Sequence, residues 1–239
     1  MTSISASSQG GEATQDGMVL VVDDDAAVRD ALVSLLRSVG LAARAFASAE
    51  EMLAAARVDA PTCLVLDVRL RGASGLDLQA RLPQSEQPFS IVFISGHADV
   101  RMTATAMKAG AIDFIAKPFR ESELLDAVFA ALARERERRA QAQQALALRA
   151  RFEAMSPRER QVMTLAASGL LNKQIAGTVG LSEATVKIHR GQVMRKMQAR
   201  TFADLVLLAQ ALGLLVPAEA GARATDPPAP AARHPDPHA

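Results

Sequence analysis

Tryptophan and tyrosine are missing from this sequence, and cysteine occurs once. A single cysteine excludes an internal disulfide framework and any zinc site built on cysteines, and it fits a reducing cytoplasm. Cys63 lies inside an apolar run, where a thiol packs as a small hydrophobe rather than reacting. Eight phenylalanines are the whole aromatic complement, so aliphatic side chains must pack the core. No stretch approaches the roughly 20 apolar residues that a membrane span needs. The N-terminus lacks the basic-then-apolar pattern of a secretory signal. A large net charge is absent too, at +1 overall, but the charge is unevenly spread. From Arg151 to Val216 there are nine Lys/Arg against four Asp/Glu, which leaves an acidic excess in the rest. A basic C-terminal half beside an acidic N-terminal half points to nucleic acid as the partner of the former.

What is present is a regular alternation of strand and helix patterns. Cys63-Leu64-Val65-Leu66-Asp67 is a short apolar run ending on a carboxylate, the pattern of a strand buried on both faces. Val19–Val22 ends the same way, on Asp23-Asp24-Asp25. Leu41–Phe46, Ser90–Ser95 and Ala111–Ala116 read as three further strands. Helices are expected over Ala26–Val39, from Ser48 to about residue 57, from Ser74-Gly75 to about Leu82, and over Asp99–Ala109. A last, long one starts at Glu121 or Ser122. Five βα units in about 120 residues argue for a doubly wound parallel sheet. At its C-terminal edge the carboxylates of two strands would crowd together. Crowded carboxylates repel, so the pocket favours a hard divalent cation, Mg2+.

Asp23, Asp24, Asp67, Ser95 and Lys117 all fall at predicted strand ends. In their segments, Val21-Val22-Asp23-Asp24-Asp25, Leu66-Asp67-Val68-Arg69, Phe93-Ile94-Ser95-Gly96-His97 and Phe114-Ile115-Ala116-Lys117-Pro118-Phe119, the first 120 residues resemble the receiver domain of two-component response regulators. The resemblance implies a flavodoxin-like sheet of order 2-1-3-4-5, with Asp67 as phospho-acceptor. It also implies Mg2+ held by Asp24 and Asp67, by Asp23 through water, and by the Arg69 backbone carbonyl. Asp25 is then a helix cap. Lys117 would contact the phosphate, with a cis Lys117–Pro118 bond aiming it inward, and Ser95 and Phe114 would act as switch residues. Arg71 stands where relatives commonly carry proline, which suggests a looser loop after Asp67. His97 reads as a loop residue.

The C-terminal half is all helical. Ser156-Pro157-Arg158-Glu159 is a strong helix start. Asn172–Val179 and a helix opening at Ser182 are joined through Gly180 as a helix-turn-helix, and Thr201–Leu212 is a fourth helix. The block Thr-Val-Lys-Ile-His-Arg-Gly-Gln-Val-Met-Arg-Lys-Met, from Thr185 to Met197, resembles the DNA-binding domain of LuxR-type regulators. With the receiver, most of the chain resembles the FixJ-like branch. Lys187, Ile188, Gly191 and Arg195 share one face on a helical wheel, and that face would enter the major groove, while Lys173 and Thr185 would hold phosphates; Arg190 completes the set of candidate DNA contacts. On a helical wheel Val186, His189, Val193 and Met197 form the core stripe. His189 reads as structural, with base contact the alternative. The expected organisation is a disordered leader over 1–17, a receiver over 18–133, a helical linker over 134–152, the helix-turn-helix domain over 153–216, and a disordered tail over 217–239. The linker reads either as a solvated helix face or as a coiled-coil-like signalling helix. His234 and His238 in the tail make a poor metal site.

The expectation is a cytoplasmic, phosphorylation-activated transcription regulator with no turnover beyond slow autodephosphorylation. Its partners would be a sensor histidine kinase, promoter DNA and a second copy of itself, with RNA polymerase a further candidate. A Mg2+-dependent phosphatase on the same sheet is a rival, but it wants a second acid two residues after its nucleophile, where Arg69 stands. A constitutive DNA-binding protein with a vestigial receiver is opposed by the intact acidic set. A flavin-binding module is opposed by the lack of a Ser/Thr-rich loop after the first strand.

Overall fold

The computed structural model of the protein describes residues 17–55, 58–70, 73–81, 89–97 and 99–215. The expectations for the leader before residue 17, the tail after residue 215, Arg71, and the histidines at 234 and 238 lie outside the described residues. The chain divides into two compact units between Ala142 and Gln143. The first contains β1 (Met18–Val22), α1 (Ala26–Ser38), β2 (Ala42–Phe46), α2 (Ala49–Ala54), β3 (Thr62–Asp67), α3 (Gly75–Arg81), β4 (Ser90–Ser95), α4 (Val100–Lys108), β5 (Asp113–Ala116) and the start of α5 (Glu121–Glu153). The second contains the end of α5, then α6 (Pro157–Ala167), α7 (Asn172–Val179), α8 (Glu183–Met197) and α9 (Phe202–Ala211).

In the first unit five parallel strands form one sheet in the order β2-β1-β3-β4-β5. Every residue of β3 is buried, as expected of a central strand covered on both faces. Val19, Val21, Cys63 and Val65 pack with Leu32 and Leu36 of α1 and with Leu124 and Val128 of α5. Their neighbours Leu20, Val22, Leu64 and Leu66 pack instead with Met52 of α2, Leu78 of α3 and Ala106 of α4. The two-residue period of a strand thus sends alternate side chains to two helical layers. Each fully buried Val or Leu contributes roughly 1.5–3 kcal/mol.

Several boundaries differ from the sequence reading. β5 begins at Asp113 rather than at Ala111; its register with β4 starts at Val92 and Asp113, with the Ile112 N–H already donating to the Ile91 carbonyl at 2.7 Å. The Ser48-to-Glu51 spacing predicts a capping box, but Glu51 does not complete a reciprocal one at Ser48. Its carboxylate accepts from the Ala47 N–H at 2.7 Å, one residue earlier than the box requires, while the Ser48 hydroxyl accepts from the Glu51 N–H. A small antiparallel ribbon, Arg69–Leu70 against Ala73–Ser74, follows β3 and has no clear signal in the sequence.

α5 is one continuous helix of 33 residues. Its residue Glu135 is buried and takes two hydrogen bonds from Arg138 and one from Arg139, which also reaches Asp59 at 2.9 Å. Residues 140–147 are exposed all round, whereas Leu148 and Phe152 pack against the core of the second unit.

In the second unit α6, α7 and α8 share a core of Val162, Ile175, Val179 and Val186. Gly180 ends α7 in the left-handed conformation (φ 68°), which an L side chain adopts only at a cost. The α6 start is closed by a capping box between Ser156 and Glu159. The buried Glu159 carboxylate also accepts from Lys196 of α8 at 2.7 Å. The Lys196 hydrogen bond is the main reason that the Glu159 carboxyl is held below its ordinary range. Burial opposes the shift, and the Ser156 N–H and hydroxyl reinforce it.

A depressed carboxyl stabilises the fold above its unfolded pKa and loses that contribution as pH falls through the folded value. Glu159→Gln should therefore destabilise the protein by about 1–3 kcal/mol at neutral pH. The deficit against wild type should shrink as pH falls below about 4.5. Hydrogen exchange of α6 amides against pH checks both.

Candidate functional site

Register explains how the acidic residues meet. Val22 of β1 is level with Leu66 of β3, so the next residues, Asp23 and Asp67, emerge side by side. Asp67 is level with Ile94 of β4, and Ser95 with Ala116 of β5, which brings Ser95 and Lys117 to the same edge. Asp23, Asp24 and Asp67 each offer a carboxylate oxygen within 4.8 Å of the others. Lys117 Nζ donates to Asp23 Oδ2 at 2.6 Å and to Asp67 Oδ2 at 3.2 Å. The Lys117–Pro118 bond is cis. Asp25 stands apart from the cluster as the N-cap of α1, accepting from the Ala27 N–H.

The environment shifts the charges. Burial is the largest influence on Asp67 and pushes its carboxyl above the ordinary value; the Arg69 N–H and Lys117 pull it back only in part, and the charge on Asp23 adds to the rise. Burial pulls the Lys117 ammonium down, but its hydrogen bond to Asp23 and the charges of Asp67 and Asp23 outweigh that and leave it raised. Both shifts describe one strained arrangement: two carboxylates in low dielectric with one cation between them. All three acids present hard oxygen donors, the ligand type that Mg2+ prefers.

Ser95 is fully buried, and its hydroxyl is engaged within its own loop. It donates to the His97 carbonyl at 3.0 Å and accepts from the His97 N–H at 3.2 Å. Phe114 is half-buried, with its ring centroid 6.1 Å from that of Phe93. Arg69 is exposed, and its N–H donates to Asp67 Oδ1 at 3.2 Å.

Two residues that shape the pocket do not stand out in the sequence. Gly75 opens α3 directly against the end of β3: its N–H donates to the Val68 carbonyl at 2.9 Å, and a Cβ there would collide with the Asp67 carbonyl. Arg29 of α1 donates to the Asp23 carbonyl at 2.8 Å and so anchors the acidic loop. The Ser74-Gly75 helix start is the only signal for the first, and the Asp25-to-Arg29 helical spacing for the second.

In the second unit, Lys187, Ile188, Gly191 and Arg195 lie on one exposed face of α8, and Lys173 is exposed in the first turn of α7. Thr185 is half-buried, and its hydroxyl lies 2.8 Å from that of the Ser182 cap. Arg190 is half-buried and donates to Asn172 Oδ1 at 2.9 Å. Val186, Val193 and Met197 are buried, whereas His189 is only partly so.

Comparison with known proteins gives two matching families: the response regulator receiver domain over residues 19–129, and the LuxR family of bacterial regulatory proteins over residues 153–209. Nodulation protein W of Bradyrhizobium diazoefficiens is 54% identical over 209 residues, covering 86% of this chain and 92% of its own. The chain belongs to the response regulators. The transcriptional regulatory protein FixJ of the same organism is 41% identical over 203 residues, covering 84% of this chain and 98% of its own. Among solved structures, the response regulator StyR superimposes with a TM-score of 0.73 at 45% identity, covering 82% of this chain and 98% of its own. Full-length FixJ superimposes at 0.51 with 38% identity, covering 85% of this chain and 100% of its own.

This response regulator therefore joins a receiver of flavodoxin-like fold to a LuxR-type DNA-binding domain, and it is a two-component transcription regulator. Receivers bind Mg2+ at the acidic pocket, and the cluster of Asp23, Asp24 and Asp67 fits that ion. Among the described residues no helix is long and apolar enough to cross a membrane.

Lys117→Met should raise the Asp67 carboxyl still further, because the two influences it removes, charge and hydrogen bond, both lower it. A carboxyl-carbon NMR titration of Asp67 in the two proteins reads the difference.

Proposed function

We propose that this regulator is switched by phosphorylation of Asp67 by a sensor histidine kinase, and that the phosphorylated form dimerises and binds promoter DNA. The observation that carries the reading is the bridge from Lys117 to Asp23 and Asp67, at the mouth of a cluster of three carboxylates. In the transfer, an Asp67 carboxylate oxygen bonds to the phosphorus of the donor phosphohistidine. The P–N bond breaks, and the imidazole leaves with the electron pair and takes up a proton. Asp23, Asp24, Asp67 and the Arg69 carbonyl would hold Mg2+, which when bound neutralises the incoming phosphate.

The residues of the chain do the rest. Lys117 exchanges one carboxylate oxygen of Asp67 for a phosphate oxygen, a role suited to a compact ammonium. Ser95 gives up its bonds to His97 and turns its hydroxyl to the phosphate, and the loop after β4 follows. Phe114 moves inward beside Phe93. These shifts remodel the face made by residues 99–109, 111–116 and 121–138, where Val100, Met107 and Phe129 are exposed apolar side chains. A second copy of the chain covers that face. Hydrolysis of the acyl phosphate is slow and resets the switch.

In this reading residues 18–133 are the receiver, 134–152 the helical linker and 153–216 the DNA-binding domain. α8 enters the major groove with Lys187 and Arg195 facing guanine edges or phosphates, Ile188 a thymine methyl, and Gly191 allowing close approach. Lys173 and Thr185 hold phosphates, which positions the domain without specifying sequence. The cytoplasm is the compartment such a regulator needs, and RNA polymerase is a further partner.

Gel-filtration mass and DNA binding, with Mg2+ and a small phosphodonor, test this for wild type and Asp67→Asn. Wild type should shift to the dimer and bind DNA at least tenfold more tightly, a coupling of about 1.4 kcal/mol, and Asp67→Asn should do neither. Identical behaviour of the two proteins contradicts the proposal.

A further inference from the structure

We infer that Arg190 is a positioning residue of the reading helix and does not itself contact DNA. The inference rests on the assignment of α8 to the major groove, and it removes from the contact set one cation that the sequence motif includes.

Three observations carry it. The first is angular. At about 100° per residue, the exposed residues Ala184, Lys187, Ile188, Gly191 and Arg195 cluster about one direction, and the buried Val186, Val193 and Met197 about the opposite one. On that wheel Arg190 lies roughly 120° from the middle of the exposed face and about 40° from the middle of the core stripe. The second is a hydrogen bond: Arg190 Nη1 donates to Asn172 Oδ1 at 2.9 Å. Arginine has donors only, so the amide of Asn172 must present its oxygen. The third is a stacking contact, with the Arg190 guanidinium carbon 5.2 Å from the centroid of the Phe202 ring.

The partners sit at telling places. Asn172 is the first residue of α7 and Phe202 the first residue of α9. One guanidinium on α8 thus ties down the starts of the helices before and after it. α8 already rests on α6 through Lys196 and Glu159. The Arg190 contacts supply constraint on the other flank and fix the rotation of α8 about its axis. Rotation is what aims Lys187, Ile188 and Arg195, so an error there would be felt at every base contact together. The chemistry needs arginine: a planar group that stacks on a ring while donating in its own plane, which an ammonium cannot reproduce.

The test uses the full-length protein and a mixed-sequence DNA duplex, with affinity measured over a series of salt concentrations. A phosphate contact contributes about 0.9 to the slope of log affinity against log salt. Arg190→Ala should weaken binding roughly tenfold, the loss of a charged hydrogen bond, with the slope unchanged. Arg190→Lys should be nearly as weak, because retained charge does not restore geometry. Asn172→Ala should reproduce part of the loss, and the double variant should be no weaker than Arg190→Ala. A slope shallower by about 0.9 in Arg190→Ala, or wild-type binding restored by Arg190→Lys, overturns the inference. Should Arg190→Ala fail to fold, the lysine variant decides by itself. Lys187→Ala, measured alongside, must lower the slope. If it does not, the assignment of the α8 face fails, and that failure is distinct from any change seen in the Arg190 variants.

Discussion

Everything in the receiver depends on holding two buried carboxylates beside each other. Asp23 and Asp67 emerge from adjacent parallel strands in matched register, and burial, with the neighbouring Asp23 charge, raises the Asp67 carboxyl. Lys117 makes the arrangement tolerable by bridging both. The raised Asp67 carboxyl by itself opposes folding above its unfolded pKa, whereas the raised Lys117 ammonium adds stability at neutral pH, so the two groups offset each other. The resting site is thus a poised one: any ligand that changes the charge balance changes what Lys117 has to hold.

The sheet transmits that constraint because its strands share register. β4 and β5 end level with the acidic pair, so Ser95 and Lys117 sit in the same low-dielectric rim. Ser95 is held by its own loop, and Phe114 leans on Phe93, a fully buried ring of the sheet core. The second unit follows the same logic on a different scaffold. There a buried carboxylate, Glu159, closes the cap of one helix and docks another. In both units an ionisable group is buried where it joins elements distant in sequence, and there it fixes geometry.

Most of this is legible in the sequence. Strand ends carrying Asp23, Asp67, Ser95 and Lys117 announce the pocket, because a short apolar run followed by a polar residue has few other readings in an α/β chain. The order of the five strands follows from the family resemblance. What stays hidden depends on contacts across the fold. Nothing local to Gly75 says that a Cβ there would strike the Asp67 carbonyl. The Ser95 hydroxyl points at His97, a choice made by the loop and not by residue type. Arg190 looks like one more cation in a basic motif, and only Asn172 and Phe202, 18 residues before it and in the helix after it, show where its guanidinium goes. Helix and strand ends also differ by a residue or two, the ordinary uncertainty of end effects.

In the proposed switch, Lys117, which bridges Asp23 and Asp67, occupies the place of an incoming cation and then exchanges Asp67 for a phosphate oxygen. Calorimetric titration of Mg2+ into wild type and Lys117→Met tests it most directly. Freed from the competing ammonium, the three carboxylates of Lys117→Met should bind Mg2+ more tightly than wild type, by several-fold on the scale of a charge interaction of about 1 kcal/mol. The same variant should nonetheless fail to dimerise with a phosphodonor. Weaker Mg2+ binding would show that Lys117 does not compete with the ion, and an undiminished response to the phosphodonor that it does not serve the switch.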